Sequence, residues 1–233
     1  MLPRANNFLA NNRRFSPRFA TALLAIAAYA IGSFNFEGMR NPQVFLNLFR
    51  NSSYLLISAI GMTFVILSGG IDLSLSGIVV LTSVVSAALL RDGWNPWGVI
   101  LLVLVMGMIM GATMGSFIAY LKVQPFIATL AGMWFARGMC FFISDNAINI
   151  DNPTFRILGQ TKILIPGLKE LADKQGAPAP YISIPVVVGF TLLLAAIYLA
   201  HYTRFGRTVY AIGGNQLSAR LMGLPVNRTL LLV

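Results

Sequence analysis

Apolar and polar positions in this chain are segregated by segment. Long, mainly apolar runs are separated by short stretches of Asn, Gly, Pro, Asp and Arg. The runs are roughly 18 to 24 residues long, enough for a helix to cross the ~30 Å hydrocarbon core of a bilayer. The windows predict helices over residues 18–36, 53–69, 77–90, 97–121, 125–144 and 182–202, with a seventh beginning near Arg228. That last run, "NRTLLLV", stops well short of a crossing, so that either the protein continues or the chain is a fragment.

Composition agrees with the pattern. Of 233 residues, 57% are hydrophobic and 10% charged, and the mean hydropathy is +0.74, whereas soluble domains carry about 25% charged residues. With no water in the bilayer core, backbone groups must be satisfied internally, so a spanning structure is helical or a closed barrel. Runs of this length favour helices. The expected fold is all-α: a polytopic transmembrane bundle, one transmembrane domain over residues 1–233, with a broken helix near 69–77.

A net charge of +10 raises nucleic acid as a partner, and the positions of the charges argue against it. Arg4, Arg13, Arg14 and Arg18 precede the first apolar run, while Arg204, Arg207, Arg220 and Arg228 lie near the end of the chain. With the N-terminus cytoplasmic, these and Lys122 put nine bases inside with the single acid Asp72, against seven bases in the outer segments, Arg40, Arg50 and Arg91 among them, an arrangement the positive-inside rule favours. Four outer bases, Arg156, Lys162, Lys169 and Lys174, then share one long loop from Asp145 to Tyr181, the main external feature. Ala28-Tyr29-Ala30 after a basic start loosely resembles a secretory cleavage site, but the later spans argue for an uncleaved first helix. Cys140 is the single cysteine and forms no intramolecular disulfide.

Between Arg50 and Arg91 the one charged residue is Asp72, within "SGGIDLSLSG". A carboxylate deep in a bilayer costs ~2.5–3.5 kcal/mol on insertion scales, so it is normally paired, in a cavity or at a helix end. Gly69 and Gly70 interrupt a helix, and Ser74 and Ser76 offer hydroxyls to freed backbone groups. The structural expectation is a helix break with Asp72 capping the next helix. Discontinuous helices also line transport sites, which makes the same residues candidates for a substrate pathway.

A second cluster is "VQPFIATLAGMWFARGM", residues 123–139. Pro125 suits a helical first turn, with Gln124 before it. Thr129, Gly132 and Ala136 form a small-residue stripe for close helix contact. Phe126, Trp134, Phe135 and Phe141 supply aromatic faces, ordinarily packing residues but also able to stack on a sugar. Arg137, on a spanning helix, must snorkel, pair or face water; Asp72 and Asp145 are candidate partners. Gly107, Gly111 and Gly115 give a packing spacing.

The third cluster is "HYTRFGRTVYAIGGNQLSARLMGLPVNR", residues 201–228. Ala211, Leu217, Ala219, Leu221 and Met222 predict a short amphipathic helix, opened by Gly213-Gly214-Asn215 and stopped by Gly223 and Pro225. Such a helix on the inner face suggests a groove-bound docking element for a soluble partner. His201 reads as an interfacial residue. Neither glycine pair has the context of a phosphate loop. No intramembrane histidine cluster, paired carboxylates or nucleophile–base arrangement points to an enzyme.

Taken together, "GMTFVILSGGIDLSLSG", "QPFIATLAGMWFARGM" and "RFGRTVYAIGGNQLSARLMGLPVNR" resemble the permease subunits of bacterial ABC sugar importers of the ribose/arabinose/galactose type, from about Asn51 onward. "TLAGMWFARG", "AINIDNP" and "HYTRFGRTVYAIGGN" resemble galactofuranose permeases most. The resemblance implies a multi-pass protein of the bacterial inner membrane, working with an ATP-binding subunit, a second permease and a periplasmic sugar-binding protein. It implies no cofactor bound by this chain, with ATP and magnesium in the partner. It places the Gly69–Gly77 stretch, with Gly69, Gly70, Asp72 and Ser74, near the translocation pathway; with Gln124, Phe126, Thr129 and Arg137 of the second cluster these are the expected substrate-pathway residues. It places ATPase coupling in a loop at 203–227, at Gly206, Ala211, Gly213, Asn215, Ala219 and Gly223. Ser76 stands where relatives commonly have glycine, and the family's further spans are expected beyond this loop. The competing expectation is an ion- or proton-coupled secondary transporter using Asp72 and Arg137 as a charge relay.

Overall fold

A computed structural model describes residues 16–164 and 180–233. Its helices are α1 (Ser16–Asn35), α2 (Pro42–Leu67), α3 (Leu75–Arg91), α4 (Pro96–Ala119) and α5 (Pro125–Ile143), then α6 (Pro153–Gln160), α7 (Ile184–Tyr202), α8 (Arg204–Gly214), α9 (Gln216–Leu221) and α10 (Val226–Leu232). A 3₁₀ turn, Glu37–Arg40, follows α1, and two three-residue strands, β1 (Lys162–Leu164) and β2 (Tyr181–Ser183), form the sheet. The fold is all-α and polytopic. Four helices, α2, α4, α5 and α7, are long and apolar enough to cross a membrane, and Phe19–Asn35 and Leu75–Arg91 are shorter apolar helices. Much of the external loop expected at 145–181 lies outside the described residues.

Helix ends follow local chemistry. Pro96 and Pro153 open α4 and α6, where a missing N–H costs nothing. Asn95 and Asn152 precede them and accept hydrogen bonds from the Trp97 and Thr154 amides at 2.9 and 3.0 Å. The observed spans match the apolar windows within a few residues, except that α2 starts at Pro42 rather than near residue 53. Gln43, Asn47, Arg50 and Asn51 lower the hydropathy of that stretch, yet they are spaced as helix neighbours. The Gln43 amide donates to Asn47 Oδ1 at 3.0 Å, an i,i+4 pair. Arg50 therefore lies within a helix that begins before the window predicted over 53–69.

The described residues fall into two compact units. One holds α1, the 3₁₀ turn and α2 as far as Phe49. Within it Tyr29 and Phe45 make an edge-on ring contact at 5.5 Å, and Gln43 Oε1 accepts from the Tyr181 amide at 2.8 Å. The other unit contains Arg50–Ile163 and Ile182–Val233. Its most extensive contact joins α3 to α5, with α4 packed against both. Leu81, Ala136 and Cys140 form the core of that contact. Small residues permit it: a Cβ on Gly77 would lie 2.8 Å from the Met133 carbonyl oxygen, and one on Gly132 would strike the Met114 side chain. Of the glycine spacing on α4, Gly115 abuts Leu231 of α10 while Gly111 faces open space. Large apolar side chains on the outside of both units, such as Phe34, Leu104 and Phe142, are exposed, as expected where lipid is the solvent.

Candidate functional site

The glycine break lies within the larger unit. α2 ends in a Schellman motif: the Gly69 amide donates to Ile66 O at 3.0 Å and the Gly70 amide to Val65 O at 2.9 Å. Gly69 has φ +81°, a left-handed conformation that an L side chain resists. The chain then runs non-helically to Ser74 before α3 begins. Asp72 Oδ1 accepts two hydrogen bonds from Ser74, from its amide at 2.7 Å and its hydroxyl at 2.6 Å. The carboxylate thus closes an Asx turn before the helix, instead of capping the helix's own first N–H groups as expected. Ser74, fully buried, supplies the carbonyl that accepts the first intrahelical bond, from Ile78.

The start of α5 meets this break. Thr129 is buried; its hydroxyl donates to Pro125 O at 2.8 Å and lies 3.5 Å from Ile71 O. Gln124 precedes α5 without a side-chain capping bond and is exposed, and Phe126 is half exposed. Trp134, Phe135 and Phe141 also point outward. Arg137 is exposed and stands eight residues beyond Thr129, about 12 Å along the helix. It forms no ion pair with Asp72 or Asp145 among the described residues; the ion pair found there is Arg91–Asp92, at the far end of α3. The expected partners of Arg137 are therefore not its partners here. Gly69, Gly70, Asp72, Ser74 and Thr129 are brought together, and Arg137 is not.

The 203–227 segment folds as two helices. Thr203 caps α8, accepting from the Gly206 amide at 3.2 Å. A Cβ on Gly206 would run into the Leu199 and Ala200 carbonyls, so the corner between α7 and α8 requires glycine. Val209 and Ile212 are buried on the inner face of α8. Asn215 caps α9 by accepting from the Ser218 amide at 2.8 Å. Gly223, at φ +77°, ends it with a second Schellman turn. Of the residues predicted for one amphipathic helix, Leu217, Ala219 and Leu221 lie in α9 and Met222 at its end, whereas Ala211 and the predicted entry turn Gly213-Gly214 belong to α8, a separate helix. Ala219, Ile212 and Val226 bury together as a small core, and Leu217, Leu221 and Met222 are left 69%, 81% and 68% exposed.

The break and this helix pair touch, a feature with no signal in the sequence. A Cβ on Gly213 would collide with the Leu67 carbonyl at the end of α2, and Gly69 lies on the same spot. Phe64 and Phe205 add a ring contact at 5.9 Å. The last turn of α8 thus rests directly on the backbone where α2 stops.

Residues 44–233 match the family described as "Branched-chain amino acid transport system / permease component". The chain belongs to this family. Among similar proteins, the inner membrane ABC transporter permease protein YjfF of Escherichia coli is 40% identical over 218 residues, covering 93% of this chain and 62% of that protein. The fructose import permease protein FruG of Bifidobacterium longum is 34% identical, covering 94% of this chain and 63% of that protein. The ribose import permease protein RbsC of Escherichia coli is 33% identical, covering 91% and 61%. The chain therefore spans under two thirds of the length of these relatives. No solved structure matches it.

Proposed function

We propose that this permease-family chain is a subunit of an ATP-binding cassette importer that carries a monosaccharide across the bacterial inner membrane. The observation that carries this reading is the contact of Gly213 with Leu67, beside an α9 whose apolar side chains face outward. A partner that grips α9 moves α8, and α8 bears on the backbone break between α2 and α3. The arrangement is a lever between a soluble motor and a helix junction. Similarity to permeases named for ribose and fructose import supports a small sugar as cargo. The galactofuranose-like motifs, "AINIDNP" among them, favour a furanose. The ATP-binding subunit, with ATP and magnesium, a second permease and an external sugar-binding protein are the proposed partners. The N-terminus is proposed to be cytoplasmic, which puts α8 and α9 on the ATPase side.

On this reading Asp72 shapes the break and does not relay charge. Asparagine keeps an oxygen that accepts from the Ser74 amide and hydroxyl but has no ionisable group. Asp72→Asn in the full-length protein is expected to hold labelled-sugar uptake within about twofold of wild type, while Asp72→Ala, losing bonds worth about 1.5–3 kcal/mol to a charged group, falls much further. A protonophore leaves uptake intact as long as cellular ATP is maintained. Equal loss in both variants, together with collapse of uptake under the protonophore, would instead support ion-coupled transport.

A further inference from the structure

At the end of the larger unit that carries α8 and α9, positive charge is gathered without an ion-paired carboxylate among the described residues. Lys122 is the one non-glycine residue among the described residues with a positive φ, at 57°. Its ammonium donates to the Ala119 carbonyl at the end of α4 and to Asn227 Oδ1 at 3.0 Å. The Arg220 guanidinium donates to the same Asn227 oxygen at 3.3 Å. Two cations on one neutral acceptor lie within about 6 Å of each other and repel. Arg220, Asn227 and Arg228, with Leu224, Pro225 and Val226, line an open surface groove of about 360 Å³ with no acidic residue in its lining, and Lys122 stands beside it through its bond to Asn227.

The left-handed backbone at Lys122 is strained for an L side chain, and the repulsion adds a second cost. The repulsion is offset if an anion sits where the cations converge. Beside the cluster, Tyr120 and Leu121 are exposed apolar side chains at the end of a spanning helix, which places the charges at the membrane–water boundary and next to acyl chains. Basic pockets between helices on the inner leaflet suit anionic lipid head groups. We infer that Lys122, Arg220, Arg228 and Asn227 form a binding site for the phosphate of an anionic phospholipid, fixing the α4–α5 turn to the α9–α10 junction. The inner-leaflet placement rests on the cytoplasmic orientation proposed above, but lipid retention is read on the permease chain without its ATPase, so its outcome is distinguishable from that of the importer reading.

The test is native mass spectrometry of the full-length protein in detergent, with phosphatidylglycerol or phosphatidylcholine added. Retained lipid is expected to favour phosphatidylglycerol by about tenfold, and Lys122→Gln with Arg220→Gln together to abolish most of that preference. Arg91→Gln, which removes a charge at the other end of α3, leaves the preference unchanged. Thermal unfolding needs no variant: phosphatidylglycerol raises the Tm of the wild type over phosphatidylcholine, and high salt cancels the rise. Equal retention of the two lipids, or a preference untouched by the double variant, overturns the site. Displacement of the lipid by millimolar inorganic phosphate assigns the pocket to a free anion. Displacement on adding the ATP-binding subunit assigns it to a protein partner. Either displacement overturns the lipid assignment.

Discussion

Gly213→Val in the full-length protein is expected to lower sugar uptake by tenfold or more while leaving the protein in the membrane fraction. The added Cβ meets the Leu67 carbonyl, a backbone atom that cannot rotate aside. Overpacking of this kind costs about 1–3 kcal/mol, and 1.36 kcal/mol is already a factor of ten. The strain sits where α8 bears on the break, so it falls on the coupling between the two. ATP hydrolysis by the assembled complex is expected to persist, now disconnected from transport. Gly223→Val differs in kind: nothing lies within 4 Å of its Cβ, but φ is +77°, so its cost is backbone strain at the end of α9. Normal uptake by Gly213→Val, measured at equal protein level, would remove the lever from the account.

The second large effect falls on stability. Gly77→Ala places a methyl group 2.8 Å from the Met133 carbonyl oxygen, 3.1 Å from Met133 Cα and 3.2 Å from Ala136 Cβ. α3 and α5, the most intimate pair of the larger unit, must then separate. A loss of about 1–3 kcal/mol is expected, read as a lower Tm in detergent and lower yield of folded protein. Gly138→Ala on the same α5 is the control. Nothing lies within 4 Å of its Cβ, and alanine is the better helix former, so stability stays level or rises. Equal Tm for the two variants would mean that α3 and α5 do not pack as described.

How much of this was legible depended on the range of the physics involved. The spans were legible because a bilayer demands long unbroken apolar runs, and Pro and Gly mark their ends by local backbone rules. α2 was the exception: Gln43, Asn47 and Arg50 break the apolar window while satisfying helix geometry. α9 announced itself through Asn215 and Gly223, whereas α8 has Arg204, Gly206 and Arg207 in its first turns and looked like a connection. Among the candidate pathway residues, the break at Gly69 and Gly70 was legible, whereas Asp72 was expected to cap the next helix and instead accepts from the Ser74 amide and hydroxyl. The setting of Thr129 against Ile71, the isolation of Arg137 and the seat of Gly213 on Leu67 join distant stretches of chain. A single sequence carries no record of such pairings, and the Lys122–Asn227 bond across the larger unit is another of the same kind.

The central claim is that α9 docks an ATP-binding subunit. Its most direct test is affinity purification of the full-length tagged protein from membranes, as wild type and as Leu217→Asp with Leu221→Asp. Both side chains project from α9 into open space, so the double variant removes apolar contact surface without disturbing the core around Ala219. The account predicts that an ATP-binding subunit and ATPase activity co-purify with the wild type and are lost from the variant, which remains folded in the membrane. Recovery of the same ATPase with both proteins, or with neither, would contradict it.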